Sequence, residues 1–182
     1  MQNIKGNFLS TENLIGVDNL YKIKNSHVCI VGLGGVGSWV AEALVRQGVE
    51  KLTLIDLDHI VESNINRQIQ AFETNIGESK IKALSSRIKN INSTCELVLV
   101  EDFLTNENIP SLIKPSMNVV IDAIDKVDVK ISLIDFWVSY SIIFFAIKPE
   151  NGLMSSCNFC KCLQVSCPIR SGLVDNAWPN LM

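Results

Sequence analysis

Arg67 and Lys80 are cations whose neighbours in the chain give them phosphate chemistry to do. Ahead of and around them, in order, stand Gly32-Leu33-Gly34-Gly35-Val36-Gly37-Ser38, Leu54-Ile55-Asp56-Leu57-Asp58, Asn64-Ile65-Asn66-Arg67-Gln68 and Gly77-Glu78-Ser79-Lys80. Glycines allow a tight turn and close approach of backbone to a phosphate. A helix opening on such a turn adds unpaired N–H groups and the positive end of its dipole. Asp56, at the end of an apolar run, is placed for a ribose hydroxyl. Arg67 offers a planar, bidentate fork to phosphate oxygens, and Lys80 a compact point charge. Gly32, Gly34 and Gly37 alone satisfy the general dinucleotide fingerprint, which suits NAD or FAD as well as ATP. The two cations favour a triphosphate, because a nicotinamide cofactor has no terminal phosphate for them to meet.

The elements that must position these residues are legible as alternating patterns. His27-Val28-Cys29-Ile30-Val31 is a short, β-branched apolar run of the kind buried in a parallel sheet, and Ser38 to Gln47 is helically periodic up to Gly48. Further strands are expected at about 51–56, 96–100, 118–123 and 142–146. Helices are expected over 80–91 and 127–140, with a lead-in helix over 4–21 broken near Gly16-Val17-Asp18. In the 80–91 segment Ile81, Leu84, Ile88 and Ile91 share one face, and Lys82, Arg87 and Lys89 read as its solvated side. The fold class that follows is α/β: a Rossmann-like, doubly wound, mainly parallel sheet with helices on both faces and the nucleotide at the carboxyl ends of the strands. Residues 1–147 read as that domain and 148–182 as a separate tail.

On these motifs the chain resembles the ATP-dependent activating enzymes, which include the adenylyltransferases of thiamin and molybdopterin biosynthesis (ThiF and MoeB types) and the ubiquitin-activating enzymes. Within that superfamily, Gly35-Val36-Gly37-Ser38-Trp39-Val40-Ala41-Glu42-Ala43-Leu44, Asn64 to Gln68 and Val120-Ile121-Asp122-Ala123-Ile124-Asp125 look most like the tRNA threonylcarbamoyladenosine dehydratases (TcdA type), over about residues 8–145. The resemblance implies that Gly35 lies at the α-phosphate and that Asp56 binds the ribose. It implies that Asn64 and Arg67 reach the phosphates, with Ser63 beside them, and that Lys80 neutralises them. Asp125 then helps hold magnesium, and Arg67, Lys80 and Asp125 form the catalytic set. The implied substrates are ATP with Mg2+ and a tRNA, and the implied assembly is a homodimer. Adenylation needs positioning and positive charge around the α-phosphorus, not a side-chain nucleophile, so His27 and His59 are given no catalytic role. Two alternatives stay open: adenylation of the C-terminus of a sulfur-carrier or ubiquitin-like protein, and a non-catalytic nucleotide-binding fragment.

The chain departs from the family pattern at both ends. Relatives carry arginines in the stretch matching Asn7 to Gly16, one of which reaches the partner subunit's nucleotide. Here Asn7, Ser10 and Asn13 hold the candidate positions, no arginine precedes Arg46, and Lys5 or Lys22 would have to substitute. Residues 148–182 do not align with the family and read as an altered or truncated C-terminus. That tail holds Cys157, Cys160, Cys162 and Cys167, enough thiolates for zinc but too compact for the family's two separated C-x-x-C pairs, so zinc is the less favoured reading. Cys29 and Cys95 read as packing residues. The formal charge of -3 excludes a general basic field, so a tRNA would need a local patch. Met1 to Asn7 lacks the apolar core of a secretory signal, and the apolar stretch 131–147 contains Asp135 and is short for a membrane span. A cytoplasmic protein without stable membrane insertion is expected.

Overall fold

The apolar runs read as strands pair with one another side by side. The computed structural model describes residues 6–138, 143–148 and 152–153. In it β1 (His27–Val31), β2 (Lys51–Ile55), β3 (Glu96–Val100), β4 (Val119–Asp122), β5 (Ile143–Lys148) and β6 (Gly152–Leu153) form one sheet in the order β3-β2-β1-β4-β5-β6. Neighbours from β3 through β5 are parallel, and β6 is antiparallel to β5. The chain winds outward from β1 in both directions, to β2 and β3 on one side and to β4 and β5 on the other. The gap between the carboxyl ends of β1 and β4 is therefore the switch point where such sheets bind ligands.

The helices are α1 (Leu9–Ile15), α2 (Val17–Lys24), α3 (Gly37–Arg46), α4 (Lys80–Ile91), α5 (Ile109–Leu112) and α6 (Val127–Val138). The lead-in segment is two helices meeting at Gly16, whose φ of 84° is a conformation that side-chain-bearing residues rarely adopt. On one face of the sheet, Val28, Ile30, Leu52, Leu54 and Ile121 pack against Ala41 and Val45 of α3 and Ile81, Leu84 and Ile88 of α4. The helical stripe expected of residues 80–91 faces this layer. On the other face, Cys29, Val31, Ile55 and Val120 meet Ile109 and Ile113 at α5 and Val129 and Leu133 of α6. Each fully buried aliphatic side chain here contributes about 1.5–3 kcal/mol of transfer free energy. The edge strand β3 is thinly covered, leaving Val98 and Leu99 each 41% exposed. No helix of the described residues is long and apolar enough to cross a membrane.

One polar contact crosses the first face. The carboxylate of Glu42, buried on α3, accepts Arg46 at 2.7 Å from its own helix and Arg87 from α4. Arg87 is thus an ion-pair partner and not merely part of a solvated face. Burial acts to raise the Glu42 carboxyl, but the hydrogen bonds and charges of Arg87 and Arg46 outweigh it and hold it below its ordinary value. The clamp fixes α3 relative to α4, and the first residues of those two helices bring the glycine turn and Lys80 to the site.

Candidate functional site

The glycines after β1 do different jobs. Gly32 turns with φ 88° directly beneath the chain after β4, and a Cβ there would lie 2.9 Å from the carbonyl oxygen of Ala123. A Cβ on Gly37 would lie 1.8 Å from the carbonyl oxygen of Gly32, so Gly37 exists to let α3 start against the turn. Gly34 has nothing within 4 Å of a built Cβ: it faces open space above the turn. A Cβ on Gly35 would lie 3.2 Å from the Arg67 side chain, which packs over it. The turn is pinned from both sides. The Asp56 carboxylate accepts the Leu33 N–H at 2.6 Å, and the buried Gln70 amide donates to the Leu33 carbonyl at 3.0 Å. The other Asp56 oxygen accepts the Asp58 N–H at 2.8 Å. Burial pushes the Asp56 carboxyl above its ordinary value, opposed by those two N–H groups and by the Lys80 charge.

Lys80 begins α4 with its backbone N–H on the Asp58 carbonyl and its ammonium 2.7 Å from the Asp58 carboxylate. The lysine side chain is only 8% exposed and the aspartate 52%, so the pair presents a fixed cation to the cleft and its counter-ion to water. Arg67 is exposed across the turn, its guanidinium donating to the Ser63 carbonyl and, at 3.1 Å, to the Asn66 amide oxygen. Asn64 is buried and accepts the Val61 N–H at 3.1 Å, shaping the loop that carries Arg67. Asp125 follows β4. Beside it Asp122, fully buried at the strand end, accepts Lys130 at 2.8 Å and the Ile124 N–H at 3.0 Å. Burial pushes Asp122 upward against the bond and charge of Lys130.

Together these elements enclose a cleft of about 910 Å³ at the switch point, a nucleotide-sized space. Of the residues expected from sequence, Gly32, Gly34, Gly35, Asp56, Asn64, Arg67, Lys80 and Asp125 line it. Gly37 and Ser63 do not: Gly37 lies under the turn, and Ser63 is exposed, contributing its carbonyl to Arg67. Sequence reading missed Asp58, Gln70 and Trp39, and gave no role to His59, which lines the cleft. It also missed Lys126, whose ammonium sits 5.1 Å from the Phe103 ring centroid, a cation–π contact bridging the loops after β3 and β4. Asp58 had a visible signal, two residues beyond Asp56 in the same motif; the others depend on contacts far apart in sequence.

Among the described residues no group of three or more His, Cys, Asp or Glu side chains is arranged to hold a metal ion. Asp125 is a carboxylate at the cleft that would fit a magnesium ion held otherwise by phosphate and water, since Mg2+ takes one or two protein carboxylates and keeps water and phosphate for the rest. Cys157, Cys160, Cys162 and Cys167 lie outside the described residues, as does Lys5. Lys22 donates to Asn19 within its own helix at 3.4 Å.

A pinned glycine turn at the switch point of a doubly wound sheet, with an acid after the next strand and two cations beside it, marks a Rossmann-like domain with a cationic cleft. The chain belongs to the ThiF family, whose model matches residues 9–152. It is 42% identical over 136 residues to a tRNA threonylcarbamoyladenosine dehydratase of Haemophilus influenzae, covering 75% of this chain and 52% of that protein. It is 43% identical over 129 residues to the protein of that name from Escherichia coli, covering 71% of this chain and 48% of the relative. The solved E. coli structure in complex with ATP superposes with a TM-score of 0.78 at 38% identity, over 83% of this chain and 62% of that one. The chain thus spans about half the length of the curated relatives it matches.

Proposed function

We propose that the chain binds magnesium-ATP in this cleft and adenylates a carboxylate, that of threonylcarbamoyladenosine in tRNA, so that the nucleoside closes to a cyclic product with loss of water. The supporting observation is the convergence of Arg67, Lys80 and Asp125 on the space above Gly34 and Gly35. The ATP-bound structure of a relative 38% identical to this chain supports the nucleotide. The carboxylate oxygen attacks the α-phosphorus, the bond to the β-phosphate breaks, and pyrophosphate leaves. Charge grows on the departing oxygens, where Arg67 and Lys80 can spread it. Ring closure then expels AMP. A carboxylate is a poor electrophile until its oxygen leaves with AMP, which is why the triphosphate is needed.

In this reading the protein acts as a homodimer in the cytoplasm, where its tRNA is found. Leu14, 84% exposed, and Tyr21, 62% exposed, on the two lead-in helices are apolar surface suited to a second copy. A second reading takes a carrier protein's C-terminal carboxylate as acceptor. It is favoured by the 33% identity over 121 residues with the Anopheles gambiae protein named adenylyltransferase and sulfurtransferase MOCS3. ATP–pyrophosphate exchange measured with modified tRNA and with a Gly-Gly-ended carrier separates the two, and exchange with neither leaves a non-catalytic nucleotide module. Lys80→Ala is expected to cut exchange at least about a hundredfold with little change in melting temperature, because Asp58 is half in water and tolerates losing its partner. Unchanged exchange in Lys80→Ala removes the assignment.

A further inference from the structure

Trp39 sits in the first turn of α3, two residues after Gly37, and is 53% exposed. Its indole N–H donates to the backbone carbonyl of Arg67 at 2.9 Å, a bond across 28 residues of chain. Besides its backbone N–H on the Asn64 carbonyl, three contacts that involve side chains hold Arg67. Its stem packs over Gly35, its guanidinium is bonded to the Ser63 carbonyl and the Asn66 amide, and its own carbonyl is taken by Trp39. The first and third of these connect it to the glycine turn and to the helix that starts from it, at the same cleft. The second connects it only to its own loop.

From this we infer that Trp39 is a positioning residue for Arg67: through the indole N–H it locks the arginine's loop to α3, so that guanidinium and helix N-terminus address one triphosphate at a fixed separation. The inference rests on the nucleotide reading above. It explains why a large ring is kept half in water at a helix start, where packing alone gives it little to do. A guanidinium has five donors, so Arg67 can keep a backbone carbonyl and still offer its fork to phosphate, provided that its main chain does not drift. Gln70 ties the segment three residues further on to the Leu33 carbonyl, and the Trp39 bond adds a tie to α3 at Arg67 itself.

The test is calorimetric titration of the full chain with magnesium-ATP and, separately, with AMP, for the wild type, Trp39→Phe, Arg67→Ala and the double variant. Phenylalanine keeps a ring and removes the N–H. Trp39→Phe is expected to weaken ATP about fivefold, the loss of one ordinary hydrogen bond, and to leave AMP within about twofold, because the cation serves the phosphates that AMP lacks. The double variant is expected to bind ATP no more weakly than Arg67→Ala alone, since Trp39 acts only through Arg67. ATP binding by Trp39→Phe indistinguishable from the wild type overturns the inference. So does an equal loss for ATP and AMP with a lowered melting temperature, which would make the ring a packing residue, and so do additive effects in the double variant. A wild-type chain that binds AMP but not ATP, or neither, overturns the nucleotide reading and this inference with it.

Discussion

The two ends of the sheet both carry a hollow, and only one of them is built as a site. At the carboxyl ends the cleft of about 910 Å³ is floored by a glycine turn, and α3, α4 and α6 begin around it. At the amino ends a smaller hollow of about 480 Å³ is lined by His27, Lys51, Thr53, Val98 and Asn118 among others. Polar groups there are already matched to one another: Lys51 to Glu96 at 2.8 Å, the His27 ring to the Thr53 hydroxyl at 2.8 Å, the His27 N–H to the Asn118 side chain at 2.7 Å. This hollow lies where α5, a single turn, leaves β3 partly uncovered, with Val98 41% exposed. At the other end Arg67 and Lys80 stand near helix N-termini, so positive potential from side chains and backbone has the same sign and faces the same space. Volume alone does not make either hollow a site; the direction of the helices separates the two ends.

The largest effects that sharpen this contrast lie in the turn itself. Gly37→Ala puts a methyl 1.8 Å from the Gly32 carbonyl, and the expected cost is about 3 kcal/mol, read as a collapse of the urea midpoint. Gly34→Ala adds the same methyl where nothing lies within 4 Å, so folding should change by no more than about 0.5 kcal/mol. ATP affinity should nonetheless fall at least about tenfold, because the methyl occupies the space where backbone would approach phosphate. A Gly37→Ala chain of wild-type stability, or a Gly34→Ala chain of wild-type affinity, would separate the turn from the role given to it.

The G-x-G-x-x-G spacing shows that glycines are needed, but not that Gly34 faces a guest and Gly37 a carbonyl. That difference arises from how closely the chain after β4 passes beneath the turn. Strands β1 and β3 span the residues expected of them, each one polar residue followed by an apolar run that ends with the strand, since hydrophobic run length is a local property. Helix α5 was illegible because four residues, Ile109–Leu112, are too short to show a period, and β6 because two residues carry no pattern. Among the residues that line the cleft, those carrying charge or glycine in the sequence motifs are the ones the sequence points to. Trp39, Gln70, Phe103 and Lys126 act through bonds or ring contacts between distant segments, and nothing in the spacing of their neighbours announces them.

An intermediate effect is expected where α3 is clamped to α4. Glu42→Gln keeps the shape and removes the charge facing Arg46 and Arg87, and should cost about 1–2 kcal/mol, less than a fully buried pair because both arginines reach water. Its pH dependence has a defined sign. The Glu42 carboxyl is held below its ordinary value in the fold, so its contribution is present above the ordinary carboxylate range and is lost as pH falls through the lowered value. The difference between wild type and Glu42→Gln in urea denaturation should therefore shrink on acidification. A difference that stays constant with pH would show that the clamp works by shape and not by charge.

The smallest effect belongs to the amino end. Burial first, and the Lys51 charge second, lower the His27 ring below its ordinary value against the pull of Glu96. A histidine held neutral contributes stability above its unfolded value of about 6.5, and that contribution is lost as pH falls through the lowered one. His27→Gln removes that titration while keeping a polar partner for Thr53. It should flatten the stability profile in this window by a few tenths of a kcal/mol, a small figure because the ring is partly in water. ATP affinity should stay within about twofold, because the ring is at the far end of β1 and its bonds close on Thr53. A tenfold loss of ATP affinity in His27→Gln would mean that the two ends are coupled through β1, and that separate hollows is the wrong description of this sheet.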